Sequence, residues 1–458
     1  MLPEIGFIQG MSVHMIHRTH LLGLAAFALL LPSLPVSATV LINNVTVIDG
    51  TGKPAKPGQT VLVDGDRIVA IKDHAVPAPK GATVIDGRGK FLIPGLADMH
   101  IHLAGRPKPG ESPVTDGGRR LLQGYLYDGV TFVYDAGNDP SYIFAMREAE
   151  RSGRMISPRI FATGFGIGWT GGYGGAGPGA VQSYEEGVKA FDVLLPQKPD
   201  LIKFLYAPLV LNDPKVLPAW DLTIMHRLIM YANERGFRTT IHAVEESTAR
   251  NAIEAGINTF AHPVYLSDTS DKHALLVATR GIPVVSTLAV MTDIIGVVEN
   301  PKYFEAPAYR SLLTDADIAY FGEANRDRYI RTNLAPWAKG ALVRGSASVR
   351  KLYEAGGILV AGTDRSVGEN AIQELELMAG AGIPPIQVIK AATLNAAIYL
   401  NVQDRIGSIE EGKLADMVLL NADPTKDIQN VRTISAVILG GKVIDRSRLE
   451  LPVNRLAK

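Results

Sequence analysis

Phe91-Leu92-Ile93-Pro94-Gly95-Leu96 runs directly into Ala97-Asp98-Met99-His100-Ile101-His102. An apolar run of this kind reads as a buried strand. Side chains alternate along a strand, so His100 and His102 share one face and Met99 and Ile101 take the other. Two imidazoles on one face of a buried strand can grip one cation. Taken alone, the pair reads equally well as two hydrogen-bonded core histidines. Four later strand-like runs each carry one more ligand-type side chain. They are Leu201-Ile202-Lys203-Phe204, Thr239-Thr240-Ile241-His242-Ala243, Asn258-Thr259-Phe260-Ala261-His262, and Ile358-Leu359-Val360-Ala361-Gly362-Thr363-Asp364.

Outward from these runs, the middle of the chain alternates strands and helices, which argues for parallel βαβ units. Strand candidates are 91–102, 130–135, 159–164, 201–206, 238–243, 258–262, 282–288 and 357–364, with helical stretches such as 221–235 and 245–255 between them. Periodicity alone leaves a closed barrel and a doubly wound sheet both open. Residues 39–93 and about 404–447 instead show short alternating strands with turn pairs such as Asp64-Gly65 and Gly440-Gly441. Two β-rich ends around an α/β body suggest one small sheet domain built from both. The segment from about Met291 to Val349 is long for a single connection. It carries helical pieces such as 315–331 and reads as extra scaffold, with a lid or partner contact as the other reading.

Basic and acidic residues balance at 46 each, so the whole chain gives no reason to expect nucleic acid or an anionic membrane as partner. There is no cysteine, which excludes disulfides, thiolate zinc sites, a cysteine nucleophile and a lipidated cysteine. Leu21 to Leu34 is apolar, Arg18 precedes it, and Val36-Ser37-Ala38 offers small residues for cleavage. Residues 1–38 are therefore expected to be a signal peptide, cut after about Ala38, with Met11 or Met15 open as the true start. The expected product is exported, to a bacterial periplasm, with no membrane anchor once cut.

The order His-x-His, Lys, His, His, Asp, followed by Ala391-Ala392-Thr393-Leu394-Asn395-Ala396-Ala397 and by Gly407-Ser408-Ile409-Glu410-Glu411-Gly412-Lys413-Leu414-Ala415-Asp416, resembles the amidohydrolase superfamily. The match is to its imidazolonepropionase-like and prolidase-like branch. The resemblance implies an α/β fold: a (β/α)8 TIM barrel over 94–403 and a small β-sandwich from 39–93 and 404–458. It implies metal ligands at His100, His102, Lys203, His242, His262 and Asp364, with Asp364 also the catalytic proton carrier. Neutral imidazole suits zinc, iron, copper or nickel; the resemblance points to one or two divalent ions, zinc foremost. Lys203, flanked by Leu201, Ile202, Phe204 and Leu205, should be buried, and burial favours its neutral amine. A neutral amine adds carbon dioxide to give a carbamate, and in the family a carboxylated lysine bridges two metals. A mononuclear site with unmodified lysine stays open.

The implied activity is hydrolysis of an amide or peptide-type C–N bond by metal-activated water, in a dipeptide, an N-acyl amino acid or a cyclic amide. An ester or lactone hydrolase on the same site, or a non-catalytic exported metal-binding protein, are the other readings. The partner is a small-molecule substrate, and a homo-oligomer is open. Substrate contacts are suggested at Tyr173, Tyr206 and Arg365. Tyr173 stands in a glycine-rich loop (164–179) where relatives often carry histidine. Tyr206 follows Lys203 by three residues rather than two, and Arg365 can meet a carboxylate bidentately or sit in an ion pair. The chain also departs from relatives at Tyr134-Asp135, where Arg-Asp is usual, and at Ala261-His262, where glutamate often precedes the histidine.

Overall fold

The computed structural model describes residues 39–210 and 213–456. The leader expected over 1–38 lies outside the described residues. The decisive stretch is two strands rather than one: Phe91–Pro94 and Leu96–Ile101, broken at Gly95. The break has a steric cause. A Cβ on residue 95 would lie 2.0 Å from the Thr131 hydroxyl oxygen, so only glycine lets the chain pass so close to the neighbouring strand. The first half joins one sheet and the second half begins another.

The first sheet is mixed and eight-stranded, and it draws on both ends of the described chain. Its order is Lys442–Val443, Ile434–Leu439, Met417–Leu420, Phe91–Pro94, Thr39–Val47, Lys56–Asp64 and Arg67–Lys72, with Thr83–Asp86 also paired to Thr39–Val47. The Asp64-Gly65 turn makes the expected antiparallel hairpin, in which Asp64 opposes Arg67. Strand alternation divides the side chains between two cores. Met417 and Leu419 pack with Val61, Val63 and Leu92 in the sheet's own core. Val418 and Leu420 turn the other way and join Ile93 in the main core. A bidentate pair from Arg159 to Asp416, at 2.6 and 3.0 Å, ties this sheet to the body.

The body is α/β with parallel strands. Leu96–Ile101, Val130–Asp135 and Arg159–Ala162 form one three-stranded parallel sheet. The second is seven-stranded and parallel throughout, ordered Ala180–Val181, Ile167–Trp169, Ile202–Leu205, Thr239–His242, Thr259–Phe260, Val284–Val285 and Leu359–Val360. Single hydrogen bonds join the two sheets at both edges: Asp200 N to Ala162 O (2.9 Å), Met99 N to Ala361 O (3.0 Å) and Asp364 N to His100 O (2.7 Å). The intervening helices start where the sequence supplies caps. Asp221 accepts from Thr223 N (2.8 Å) and Ile224 N (3.1 Å) to open Leu222–Glu234, and a capping box opens Glu246–Glu254.

The long segment before the last parallel strand is helical. Ala289–Glu299 opens on buried Glu374, whose carboxylate accepts from Leu288 N (3.0 Å) and Ala289 N (2.7 Å). The expected 315–331 helix is interrupted: Asp315–Ile318 and Ala324–Arg331 flank a π-helical turn, Ala319–Glu323. Leu334–Glu354 then buries Leu334, Ala338, Ala341, Val349 and Leu352. Among the described residues no helix is long and apolar enough to cross a membrane.

Candidate active site

Parallel strands deliver their C-terminal ends to one rim, and the ligand-type residues sit there. His100 is next to last in Leu96–Ile101, His102 lies just past it, and His242 ends Thr239–His242. His262 follows Thr259–Phe260 by two residues, and Asp364 follows Leu359–Val360 by four. Lys203 is the second residue of Ile202–Leu205 and lies deeper.

The structure brings the four histidines and Asp364 together. One donor atom each from His100, His262 and Asp364 falls within 4.8 Å of the other two. His102 Nε2 is 3.2 Å and His100 Nε2 3.7 Å from Asp364 Oδ1. The His100 and His262 ring centroids are 4.5 Å apart, as are those of His262 and His242. Backbone carbonyls fix two tautomers. His100 Nδ1 donates to Ala261 O (2.9 Å) and His102 Nδ1 to Gly137 O (2.8 Å), because a carbonyl only accepts. The other ring nitrogen of each, Nε2, faces Asp364; against burial, the Asp364 carboxylate beside it holds His102 above its ordinary value. His262 Nδ1 pairs with the Thr287 hydroxyl at 3.0 Å. Asp364 and Thr287 adopt φ of 55° and 40°, left-handed values rare outside glycine. For Asp364 the backbone bond to His100 O helps hold that conformation in place.

Burial and charge set the protonation states. Burial, then the Lys203 charge, pushes His100 down, and the same causes push His242 down to about 3. Burial lowers His262 too, with His242 and His100 adding to it. Burial works to raise Asp364, but the imidazoles around it win and hold its carboxyl well below the usual range. Lys203, 2 % exposed, is brought down to about 7 by burial, against the pull of Asp364 and Asp135. The neutral imidazoles of His100, His242 and His262 beside an ionised carboxylate are a donor set of a divalent metal.

A family model described as "Amidohydrolase family" matches residues 91–444. The chain belongs to the amidohydrolase family. It is 23% identical over 463 residues to ochratoxinase from Aspergillus niger, covering 91% of this chain and 88% of that protein. Imidazolonepropionase from Streptococcus gordonii is 33% identical over 117 residues, 24% of this chain and 36% of that protein. The solved structure of a Xaa-Pro dipeptidase with methionine bound in its active site superposes with a TM-score of 0.72 at 24% identity, covering 89% of this chain and all (100%) of the other. The α/β fold with parallel sheets is thus shared with amidohydrolase structures.

In this amidohydrolase the suggested substrate residues take three different positions. The Tyr173 ring stacks on His242 at 4.4 Å, so the glycine-rich loop folds over the histidines. Tyr206 turns outward, and its hydroxyl accepts from Asn251 Nδ2 (3.1 Å) on the helix Glu246–Glu254. Arg365 takes the ion-pair alternative. Its Nε lies 2.9 Å from buried Asp293 Oδ2, and Nη2 donates to Val290 O (2.9 Å). Two neighbours of the cluster had no role from sequence. Tyr265 packs edge-on against His262 at 5.9 Å. Asp98, pushed up to about 7 by burial, accepts from His100 N (3.1 Å), Thr363 N (3.0 Å) and the Thr363 hydroxyl (2.7 Å). Its place on the face of His100 was legible in the strand alternation; its partner was not. Beside His102 and Asp364 opens a cavity of ≈ 670 Å³, walled on the far side by the helical segment through Asp317, Tyr320, Phe321 and Arg328.

Proposed function

We propose that this amidohydrolase is exported and hydrolyses an amide-type C–N bond in a small molecule, with one or two divalent ions, zinc foremost, at the histidine cluster. The observation that carries this reading is the convergence of His100, His262 and Asp364 donor atoms within 4.8 Å. The donors fit such an ion: the neutral imidazoles of His100 and His262, held from behind by Ala261 O and Thr287, and an ionised carboxylate. His100, His262 and Asp364 would hold it, with His102, His242 and Lys203 adjoining. A bound ion lowers the pKa of water and polarises a carbonyl.

The chain's own residues then divide the work. Asp364 takes the proton of the attacking water and passes it to the leaving nitrogen. Its carboxyl, held well below the usual range, is ionised before that step. Tyr173, over His242, donates a hydrogen bond to the carbonyl oxygen as charge builds there. Lys203, near neutrality in its buried position, adds carbon dioxide: the amine nitrogen bonds the carbon, a proton leaves to solvent, and the product is an anionic carbamate. The hydrogen bonds from Met99 to Ala361 and from Asp364 to His100 support a parallel layer closed into a (β/α)8 barrel, with the mixed sheet as the small β-domain beside it.

The test is a mass-spectrometric turnover screen on protein from Thr39 onward, supplied with zinc and bicarbonate, with a chelated control. The panel holds dipeptides, N-acyl amino acids, cyclic amides and lactones. Chelator-sensitive cleavage of a C–N bond, lost in Asp364→Asn with metal retained, is expected. Full activity in that variant removes Asp364 from the chemistry, and cleavage of lactones alone replaces the amide reading.

A further inference from the structure

His102 is the histidine of the cluster that packing does not hold. Its side chain is 44 % exposed, whereas those of His100, His242 and His262 are buried. It also lies past the end of its strand, Leu96–Ile101, so the ladder to Val130–Asp135 does not fix it. Its direction comes from hydrogen bonds instead, and these form a closed circuit through Asp135. His102 Nδ1 donates to Gly137 O (2.8 Å), and Gly137 N donates to Asp135 Oδ1 (3.1 Å). Asp135 Oδ2 accepts from Leu103 N (2.8 Å), the peptide nitrogen bonded to His102 itself. Asn138 braces the circuit, its Nδ2 donating to Asp135 Oδ2 (2.9 Å) and to Leu103 O (3.0 Å). Asp135 is fully buried, and both its oxygens act as acceptors here.

We propose that Asp135 is a positioning residue: through Leu103 and Gly137 its carboxylate aims the His102 imidazole at Asp364 and at the ion the cluster binds. The proposal rests on the divalent-ion reading of the cluster and adds a requirement to it. An exposed side chain samples several rotamers, and fixing one before the ion arrives removes that ordering step from binding. The fixed rotamer is the one that brings Nε2 to 3.2 Å from Asp364 Oδ1. Asp135→Asn keeps the shape of the side chain but puts an NH2 where one oxygen accepted. That NH2 opposes either Gly137 N or the pair Leu103 N and Asn138 Nδ2. Gly137 serves the same end sterically. A Cβ there would lie 3.3 Å from His102 Cε1, so an alanine would press on the ring.

The test is a double-mutant cycle read as zinc affinity, by competition with a chelator, in the wild type, Asp135→Asn, His102→Ala and the double variant. Asp135→Asn should lose about tenfold or more in affinity while His102 is present. In the His102→Ala background the same change should lose no more than about twofold. His102→Ala leaves His100, His262 and Asp364 to bind zinc, so its affinity stays measurable. With cobalt(II) in place of zinc, Asp135→Asn should alter the visible absorption bands as His102→Ala does. Gly137→Ala, which leaves the Asp135 carboxylate intact, should weaken zinc in the same direction, and it carries the test if Asp135→Asn does not fold. A residue that only stabilises the fold would lower the urea midpoint and leave zinc affinity alone. That result overturns the proposal, as does an equal loss of affinity with and without His102. Unaltered affinity in His102→Ala overturns the proposal and keeps the ion reading. A wild type that retains neither zinc nor cobalt overturns the ion reading, and the proposal with it.

Discussion

The carboxylate of Asp98 takes both the backbone N–H (3.0 Å) and the hydroxyl (2.7 Å) of Thr363. Asp98 precedes His100 on one strand and Thr363 precedes Asp364 on another. The contact therefore sets the spacing of two proposed metal-binding side chains from behind. Asp98→Asn turns one acceptor oxygen into a donor facing N–H groups. Its expected effect is a loss of about 10–100-fold in kcat/KM and in zinc affinity, with the circular dichroism spectrum retained. Zinc content after dialysis, measured beside the rate, checks this. Unaltered zinc retention and rate would leave Asp98 with a packing role only.

Arg365 and Asp293 form a pair whose loss is uneven. Asp293 is 2 % exposed on its side chain and also accepts from Tyr303 (3.0 Å), Tyr309 (3.2 Å) and Asn370 (3.0 Å). Arg365→Met strands a buried carboxylate and should cost about 3–5 kcal/mol in urea unfolding. Adding Asp293→Asn should recover most of that loss. Simple additivity of the two changes would show that the pair is not coupled.

Stability should fall as pH rises through the range in which buried Glu374 ionises. Burial raises its pKa from the usual 4.5 to about 7, so the folded chain holds this proton more tightly than the unfolded chain does. The sign follows from linkage: between pH 4.5 and about 7 the folded state binds more protons, and rising pH then costs stability. The full difference is about 3 kcal/mol. Unfolding free energies of the wild type and Glu374→Gln, compared from pH 5 to 8, isolate it. Parallel curves would contradict the assignment.

Gly95→Ala should destabilise by about 3 kcal/mol or prevent folding, because the added methyl overlaps the Thr131 side chain, at 2.0 Å from its oxygen. Thermal unfolding of the variant gives the answer. A loss under about 0.5 kcal/mol would mean that the two strands separate freely.

Much of the site was legible because metal chemistry constrains residue type and strand geometry constrains spacing. His100 and His102 are two apart, and His242, His262 and Asp364 end apolar runs, so the rim could be assembled from sequence. The break at Gly95 was not legible, since alternation continues through a change of sheet. Nor was the partner of Arg365, because Asp293 lies on a helix whose position against Asp364 only tertiary packing defines. The same holds for Tyr206. Its extra residue of spacing from Lys203 signalled a different direction, and the hydroxyl meets Asn251 on a neighbouring helix. The π turn inside 315–331 has no signal in polarity.

The passage from mixed sheet to active-site rim contains no linker. Ile93 is paired with Val418, and seven residues later the same chain presents His100. A strand near the C-terminus thus sets the footing of a histidine near the N-terminus. The sheet and the catalytic layer cannot be separated as modules: a fusion or truncation that unzips Met417–Leu420 would silence the site at a distance, with every ligand still in the sequence.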